Sequence, residues 1–177
     1  MEAGRMGSHG RLLETDRFYV EQVWRESPLG ARQERAVIRH PGAVVILPIV
    51  DIDHLCLIQN FRVAVGRKLL ELPAGTLDRG EDPQVAAERE LTEETGYRAR
   101  RWQPLHQFYL SPGILDERMH LFLATELEAG MPAREPGEEI ENVVLGWDEA
   151  LRLVYRGEIE DAKTIVGLLL GQQHRQR

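Results

Sequence analysis

The sequence predicts an α/β fold, in which strands and helices mix within one main domain that follows a small N-terminal β unit. Two apolar, β-branched runs at 43–50 and 55–61 are typical of strands buried on both faces of a sheet. A helix with clear start and stop signals comes later, and helical patterns close the chain. We therefore divide the chain into a flexible N-terminus (1–16), a β-hairpin unit (17–42) and a main domain (43–177).

The N-terminal region contains a segment without periodicity and two strand-like runs. Residues 1–11 are rich in glycine and lack periodicity, so we expect them to be flexible. Strand-like runs at 18–25 and 34–40 flank Ser27-Pro28-Leu29-Gly30, a sequence that favours a hairpin turn.

The main domain contains one well-marked helix, predicted over 82–95 after a short strand at 68–72. Asp82 can cap this helix, and Pro83 suits its first turn. Gly96 suits the left-handed position just past its end. The remaining patterns are strands at 105–110, 119–124 and 142–147, then helices at 148–155, capped by Asp148, and at 161–170.

Composition excludes several classes of function. A net charge of -7 argues against binding a nucleic-acid backbone, which needs clustered Lys and Arg. No apolar run approaches the length of a bilayer span, and the N-terminus has no signal-peptide pattern, so we expect a cytoplasmic protein with no membrane partner. The six histidines are scattered, which disfavours a zinc site, and the single cysteine, Cys56, lies in an apolar run that indicates packing.

The most informative segment is residues 75–97, which read GTLDRGEDPQVAAERELTEETGY. Glu90 and Glu94 are one helical turn apart, so their carboxylates lie on the same face, with Glu93 beside them. Like charges at this spacing oppose helix formation by about 0.2–0.5 kcal/mol, a cost that a bound divalent cation would reverse. Clustered carboxylates favour a hard ion such as magnesium or manganese. The alternative is an ordinary solvated acidic helix surface.

The complete pattern of this segment resembles the signature box of the Nudix family, whose members hydrolyse nucleoside diphosphates linked to another group. All seven fixed positions of the box are present: Gly75, Glu81, Arg89, Glu90, Glu93, Glu94 and Gly96. Tyr97 is the one departure, because the family has a smaller aliphatic residue there. The resemblance implies an α/β/α sandwich around a mixed sheet, with 43–177 as the catalytic domain.

Three further segments, 71–75, 111–113 and 157–162, resemble the ADP-ribose pyrophosphatase subfamily, for which Pro112 is the usual marker. This resemblance implies magnesium-dependent hydrolysis of ADP-ribose to AMP and ribose 5-phosphate. Other nucleoside diphosphate substrates stay open, namely GDP-mannose, NADH and diadenosine polyphosphates. So does a non-catalytic, nucleotide-sensing module, although such modules commonly lose the box carboxylates.

The resemblance also implies roles for the box residues. The Ala74 carbonyl, Glu90 and Glu94 would hold magnesium, or manganese in its place, with Glu93 in support. Arg89 would fix the neighbouring carboxylates, and Glu81 would reach back to the same helix; an ordinary surface ion pair is the alternative. Gly75 would permit a sharp turn and a close backbone approach.

Substrate contacts are expected outside the box. Arg62 would bind the diphosphate, although a solvated arginine at a strand end is the alternative. Pro112 and Gly113 would contact the substrate, and Glu117, in the loop that follows them, would bind a ribose hydroxyl. Phe18 and Tyr19, with Trp24 as a further candidate, would stack on adenine, and core packing is the alternative for each.

Two further expectations concern the assembly and the water-activating base. The subfamily implies a homodimer, in which the N-terminal β unit of one chain packs on the other and helps line its adenine pocket. Glu138 matches a glutamate that serves at the metal site in related pyrophosphatases, so it is the expected base and an additional metal ligand. Glu135 and Glu139 are close alternatives, and a solvated acidic loop is the other explanation.

Overall fold

The computed structural model describes residues 5–134, 137 and 139–175 and divides the chain into two compact units. Unit 1 comprises Met1–Gly42 and Tyr109–Arg118, and unit 2 comprises Ala43–Phe108 and Met119–Arg177. The strands are β1 (Met6–Glu14), β2 (Tyr19–Glu26), β3 (Arg32–Arg39), β4 (Ala43–Pro48), β5 (His54–Arg62), β6 (Arg67–Glu71), β7 (Ala74–Thr76), β8 (Arg98–Tyr109), β9 (Arg118–Glu128) and β10 (Ile140–Gly146). The helices are α1 (Pro83–Thr95), α2 (Trp147–Tyr155) and α3 (Ala162–Arg175).

Unit 1 is built on a three-stranded antiparallel sheet in the order β1-β2-β3. β2 and β3 form the predicted hairpin, closed by a hydrogen bond of 2.9 Å from the Gly30 amide to the Ser27 carbonyl. The segment Tyr109–Arg118 is tied to β3, because Ile38 donates to the Ile114 carbonyl at 2.8 Å and accepts from the Asp116 amide at 3.1 Å.

The N-terminal segment differs from the expectation of flexibility, because Met6–Glu14 is a strand paired with β2. Eight of its nine residues are exposed, so burial imposes no alternation of apolar and polar side chains. Backbone hydrogen bonds between strands do not depend on such alternation. The sequence of a mostly exposed strand therefore carries little periodic signal.

Unit 2 is a layered α/β structure around a mixed sheet in the order β7-β4-β9-β8. β4 runs parallel to β9 and antiparallel to β7, and all six of its residues are buried. On one face of β4, Val44 and Ile46 belong to the same buried apolar cluster as Leu91 of α1. On the other face, α3 approaches so closely that a Cβ on Gly171 would overlap the side chain of Leu47. Helices thus cover both faces, as the expected α/β/α sandwich requires.

A second sheet of unit 2 is antiparallel, in the order β10-β5-β6. It carries Arg62 at the end of β5 and Glu71 at the end of β6. No helix within the described part of the chain is long and apolar enough to cross a bilayer.

One predicted helix cap is wrong. α2 begins at Trp147, so Asp148 lies in the first turn, and Gly146 takes the cap position without a side-chain hydrogen bond. The start of the helix is set by Trp147, which is buried and donates its amide to the Asp53 carbonyl at 2.8 Å. Tertiary contacts therefore outweigh the local capping preference of aspartate.

Candidate active site

Helix α1 presents the acidic residues, and both of its ends match the sequence prediction. The Asp82 side chain accepts hydrogen bonds from the Gln84 and Val85 amides at 2.9 and 3.4 Å. Gly96 has a left-handed conformation with φ of 78°, and its amide donates to the Thr92 carbonyl at 2.9 Å. These ends fix the helical register that brings Glu90 and Glu94 onto one face.

Arg89 joins three of the box carboxylates. Its Nε and Nη2 donate to the two oxygens of Glu81, both at 3.1 Å. Its Nη1 donates to Glu90 at 2.7 Å and to Glu93 at 3.1 Å. Hydrogen bonds from Arg89 hold the pKa of Glu81 below its usual value, against the opposing effect of burial. The predicted role of Arg89 as the residue that fixes its acidic neighbours agrees with these contacts.

Ala74 and Gly75 belong to strand β7, which packs against α1, so the sharp turn expected at Gly75 is a strand position instead. The Ala74 amide donates to a carboxylate oxygen of Glu94 at 3.0 Å, and Glu94 is 5% exposed. A Cβ on Gly75 would overlap the carboxyl group of Glu90, whose side chain is 13% exposed. Gly75 therefore gives Glu90 the space to lie against the backbone of β7.

These residues fit a hard divalent cation by the chemistry of their oxygen donors. Glu90 and Glu94 are mostly buried carboxylates that lie against the Ala74–Gly75 backbone, whose Ala74 carbonyl is the third donor that the family resemblance implies. Within residues 5–134, 137 and 139–175, no group of three or more His, Cys, Asp or Glu side chains is arranged to hold a metal ion. A complete coordination shell would therefore also need backbone, substrate or water oxygens.

Arg62 lies at the end of β5, as predicted, and it is paired with a residue that the sequence reasoning missed. Its Nε and Nη2 donate to the two carboxylate oxygens of Glu71 at 2.8 and 2.6 Å. Lys163 of α3 also donates to Glu71. A glutamate that directly follows Leu69 and Leu70, and a lysine near the start of the mostly apolar stretch 162–170, were the available signals of this buried cluster.

Residues on either side of the acidic segment 135–139 bond to the end of α1 that carries Glu94. Arg134 donates through Nε to the Glu94 carbonyl at 3.0 Å, and Asn142 donates to the Thr95 carbonyl at 2.8 Å. Glu139 is exposed. Glu138, predicted as base and metal ligand, and its alternative Glu135 lie outside the described residues.

The remaining predicted substrate contacts lie in unit 1, whereas the box lies in unit 2. Glu117 is 3.5 Å from His40 Nδ1, and the guanidinium of Arg11 lies over the ring of Tyr19, with its carbon 4.2 Å from the centroid. The guanidinium of Arg32 lies over the ring of Trp24 in the same way, with its carbon 4.7 Å from the centroid. The roles of these residues, and of Phe18, Pro112 and Gly113, in substrate binding stay predictions.

Comparison with known proteins gives a consistent result. A family model described as "NUDIX domain" matches residues 39–166. An ADP-ribose pyrophosphatase of Bacillus subtilis (strain 168) is 42% identical over 149 residues, which cover 83% of this chain and 80% of the relative. A methanol dehydrogenase activator of Bacillus methanolicus is 34% identical over 172 residues, which cover 90% of this chain and 93% of the relative.

A solved structure described as an ADP compounds hydrolase superposes with a TM-score of 0.85 at 24% identity. The match covers 99% of this chain and 97% of that structure. At this identity the likeness concerns the fold, and it agrees with the arrangement of strands and helices in each unit.

Proposed function

The chain belongs to the NUDIX family, and from this premise we propose that it hydrolyses the diphosphate bond of ADP-ribose to AMP and ribose 5-phosphate. The observation that carries the proposal is the intact box, in which Arg89 bonds to three carboxylates and Gly75 leaves room for Glu90 beside the backbone of β7. The 42% identity to an ADP-ribose pyrophosphatase, over 83% of this chain, favours ADP-ribose as the substrate.

The residues of the box supply binding and charge placement. The Ala74 carbonyl, Glu90 and Glu94, with Glu138 from the acidic loop, would hold a divalent cation, for which we propose magnesium, with manganese as a substitute. When bound, such an ion neutralises charge that develops on the diphosphate oxygens. Arg89 keeps the carboxylates in place, and Arg62 would contact the diphosphate with its guanidinium.

The reaction needs a water molecule and a base. The water oxygen forms a bond to phosphorus, the phosphoanhydride P–O bond breaks, and a proton passes from the water to the base. A base must lie within hydrogen-bond reach of the water, which suits a residue on a loop that can approach the substrate better than the box glutamates of α1. We assign this role to Glu138, and three single variants, Glu135→Gln, Glu138→Gln and Glu139→Gln, separate the candidates by which one loses turnover.

The proposal is tested by a product assay with magnesium across ADP-ribose, GDP-mannose, NADH and a diadenosine polyphosphate. We expect the highest kcat/KM for ADP-ribose. If another compound exceeds it by about tenfold, a difference of about 1.4 kcal/mol, the substrate assignment is wrong although the family is unchanged. If none is hydrolysed, the non-catalytic, nucleotide-sensing alternative gains support.

We further infer that the protein is a cytoplasmic homodimer that assembles through its N-terminal β unit. The support is the set of exposed apolar side chains on β1, which include Met6, Leu12 and Leu13. A second copy of the chain would remove them from water.

A further inference from the structure

A chain of four alternating charges links α3 to the end of β5. Arg62 pairs with Glu71, Glu71 pairs with Lys163, and Lys163 lies 3.0 Å from an oxygen of Asp161. Asp161 and Lys163 lie at the start of α3, about ninety residues along the chain from Glu71. Only the folded structure brings the four charges together.

Exposure of the four side chains is unequal. The side chains of Glu71, Lys163 and Asp161 are 1%, 9% and 17% exposed, whereas that of Arg62 is 39% exposed. Arg62 is thus the end of the cluster that faces solvent. The bidentate pair with Glu71 uses Nε and Nη2, so Nη1 is the nitrogen outside that pair.

The cluster adjoins the box. Hydrogen bonds from Arg62 to Glu71 raise the pKa of Arg62, against the opposing effect of burial, and the charges of Glu94 and Asp161 add to the rise. Glu94 is therefore close enough to act on Arg62 electrostatically. The first turn of α3 also supports the backbone that leads to Ala74, because Thr164 accepts a hydrogen bond from the Leu72 amide at 2.7 Å.

We propose that Lys163 is a positioning residue for substrate binding: it fixes Glu71, and Glu71 fixes the guanidinium of Arg62 for contact with the substrate's diphosphate. The inference rests on the proposed function, which supplies the diphosphate. An arginine held in place before binding loses less conformational freedom when the ligand arrives. When the ammonium group of Lys163 is removed, Glu71 keeps its pair with Arg62 but loses its pair with α3. The Glu71 carboxylate, and with it the guanidinium of Arg62, is then less firmly fixed.

A buried ion cluster that only stabilises the fold is the alternative, and a double-mutant cycle separates the two. Lys163→Met removes the ammonium group and keeps most of the side-chain volume. The probe is ADP, with binding measured by calorimetry in magnesium buffer for the wild type, Lys163→Met, Arg62→Ala and the double variant. Residues that act through one another show non-additive effects in such a cycle.

We expect Lys163→Met to weaken ADP binding by about tenfold in the wild-type background and by less than about twofold in the Arg62→Ala background. Lys163→Arg, which keeps the charge, should restore at least part of the affinity. Lys68→Met is the matched control. Lys68 lies on the same strand as Glu71, and it forms a more exposed ion pair, at 3.0 Å, with Glu141. The control should leave ADP binding unchanged.

Equal losses in both backgrounds would overturn the proposal, as would unchanged ADP binding in Lys163→Met or no ADP binding by the wild type. If Lys163→Met does not fold, Asp161→Asn replaces it in the cycle, since asparagine keeps the cap on Thr164 and weakens the pair with Lys163. The proposed hydrolysis is scored separately, by turnover of the substrate panel. ADP binding with a non-additive cycle but no turnover would refute the hydrolysis and leave the positioning role intact.

Discussion

Glu94 is the box carboxylate most deeply enclosed by its surroundings, and a conservative substitution isolates its charge. Glu94→Gln can still accept the hydrogen bond from the Ala74 amide, so the fold should persist. An amide is a much poorer ligand for magnesium than a carboxylate, and we expect kcat to fall by about two orders of magnitude or more. Steady-state kinetics measure the change in kcat, and a thermal melt tests whether the fold persists. Glu88→Gln, an exposed position on α1, is the control, and wild-type turnover in Glu94→Gln would refute the metal assignment.

Gly75 offers a way to move a carboxylate without removing it. In Gly75→Ala the new Cβ would overlap the carboxyl group of Glu90, which is the end of a flexible side chain and can turn away. We therefore expect a small change in stability, about 1 kcal/mol, but a loss of kcat of about tenfold or more and a higher magnesium requirement.

The control for this substitution is Gly146→Ala, where a Cβ would meet the Asp53 carbonyl oxygen at 4.0 Å, an ordinary contact. The measurements are a magnesium titration of activity and a thermal melt for both variants. Full activity of Gly75→Ala at the wild-type magnesium concentration would show that the position of Glu90 is not critical.

At the residue scale, the sequence predicted what depends on helical spacing and missed what depends on distant contacts. The shared face of Glu90 and Glu94 follows from a separation of one turn. The partners of Arg62 do not follow from spacing, because Glu71 is on the next strand and Lys163 is on a helix near the other end of the chain. An arginine at a strand end therefore gave no indication of its buried pair.

At the scale of elements, α1 shows how local signals and tertiary contacts combine. Its last carbonyl groups all have donors: the amides of Gly96 and Ala133 bond to Thr92 and Glu93, and the side chains of Arg134 and Asn142 bond to Glu94 and Thr95. Carbonyls at a helix end need such partners. The glycine was predictable from the sequence, whereas Ala133 and Arg134 come from the segment between β9 and β10, and Asn142 comes from β10.

This arrangement predicts that Gly96 is costly to replace. In Gly96→Ala the residue would be strained at φ of 78°, and its Cβ would lie 2.6 Å from the Gly130 carbonyl oxygen and 2.8 Å from the Pro132 nitrogen. Gly157→Ala is a matched control with φ of 73° and no atom within 4 Å of the added Cβ.

We expect a loss of unfolding free energy of about 1 kcal/mol for Gly157→Ala and about 3 kcal/mol for Gly96→Ala, since only the latter adds a backbone clash to the conformational strain. Urea denaturation measures both. Equal losses would show that the segment at Gly130 and Pro132 moves aside without cost.

The elements that the sequence missed share a physical cause. β1 is mostly exposed, and β7 has only three residues, so neither has room for an apolar repeat. Pairing with β4 defines β7, and pairing with β2 defines β1. Such strands are defined by their pairing partners elsewhere in the chain, and local sequence patterns do not identify those partners.

At the scale of the whole molecule, the apolar runs of the sequence predicted the class of fold, but they did not predict how its strands pair. The apolar run that became β4 indicated burial on both faces, and α1 and α3 do cover it. The parallel pairing of β4 with β9 joins segments more than seventy residues apart. Apolar runs predict a buried strand but do not identify its partner or direction.

The quaternary structure is the last prediction. β1 is an edge strand of its sheet, and Leu12 and Leu13 are exposed on it. An exposed edge with apolar side chains favours association with another chain, so we expect a homodimer of twice the 20.2 kDa chain mass by light scattering at micromolar concentration.

Replacing both residues, Leu12→Glu with Leu13→Glu, should give the monomer mass, because burying two carboxylates costs more than the contact contributes. Leu29→Glu, in the exposed turn between β2 and β3, is the control and should stay dimeric. A monomeric wild type at that concentration would contradict the prediction, and a dimer that survives the double substitution would place the interface elsewhere.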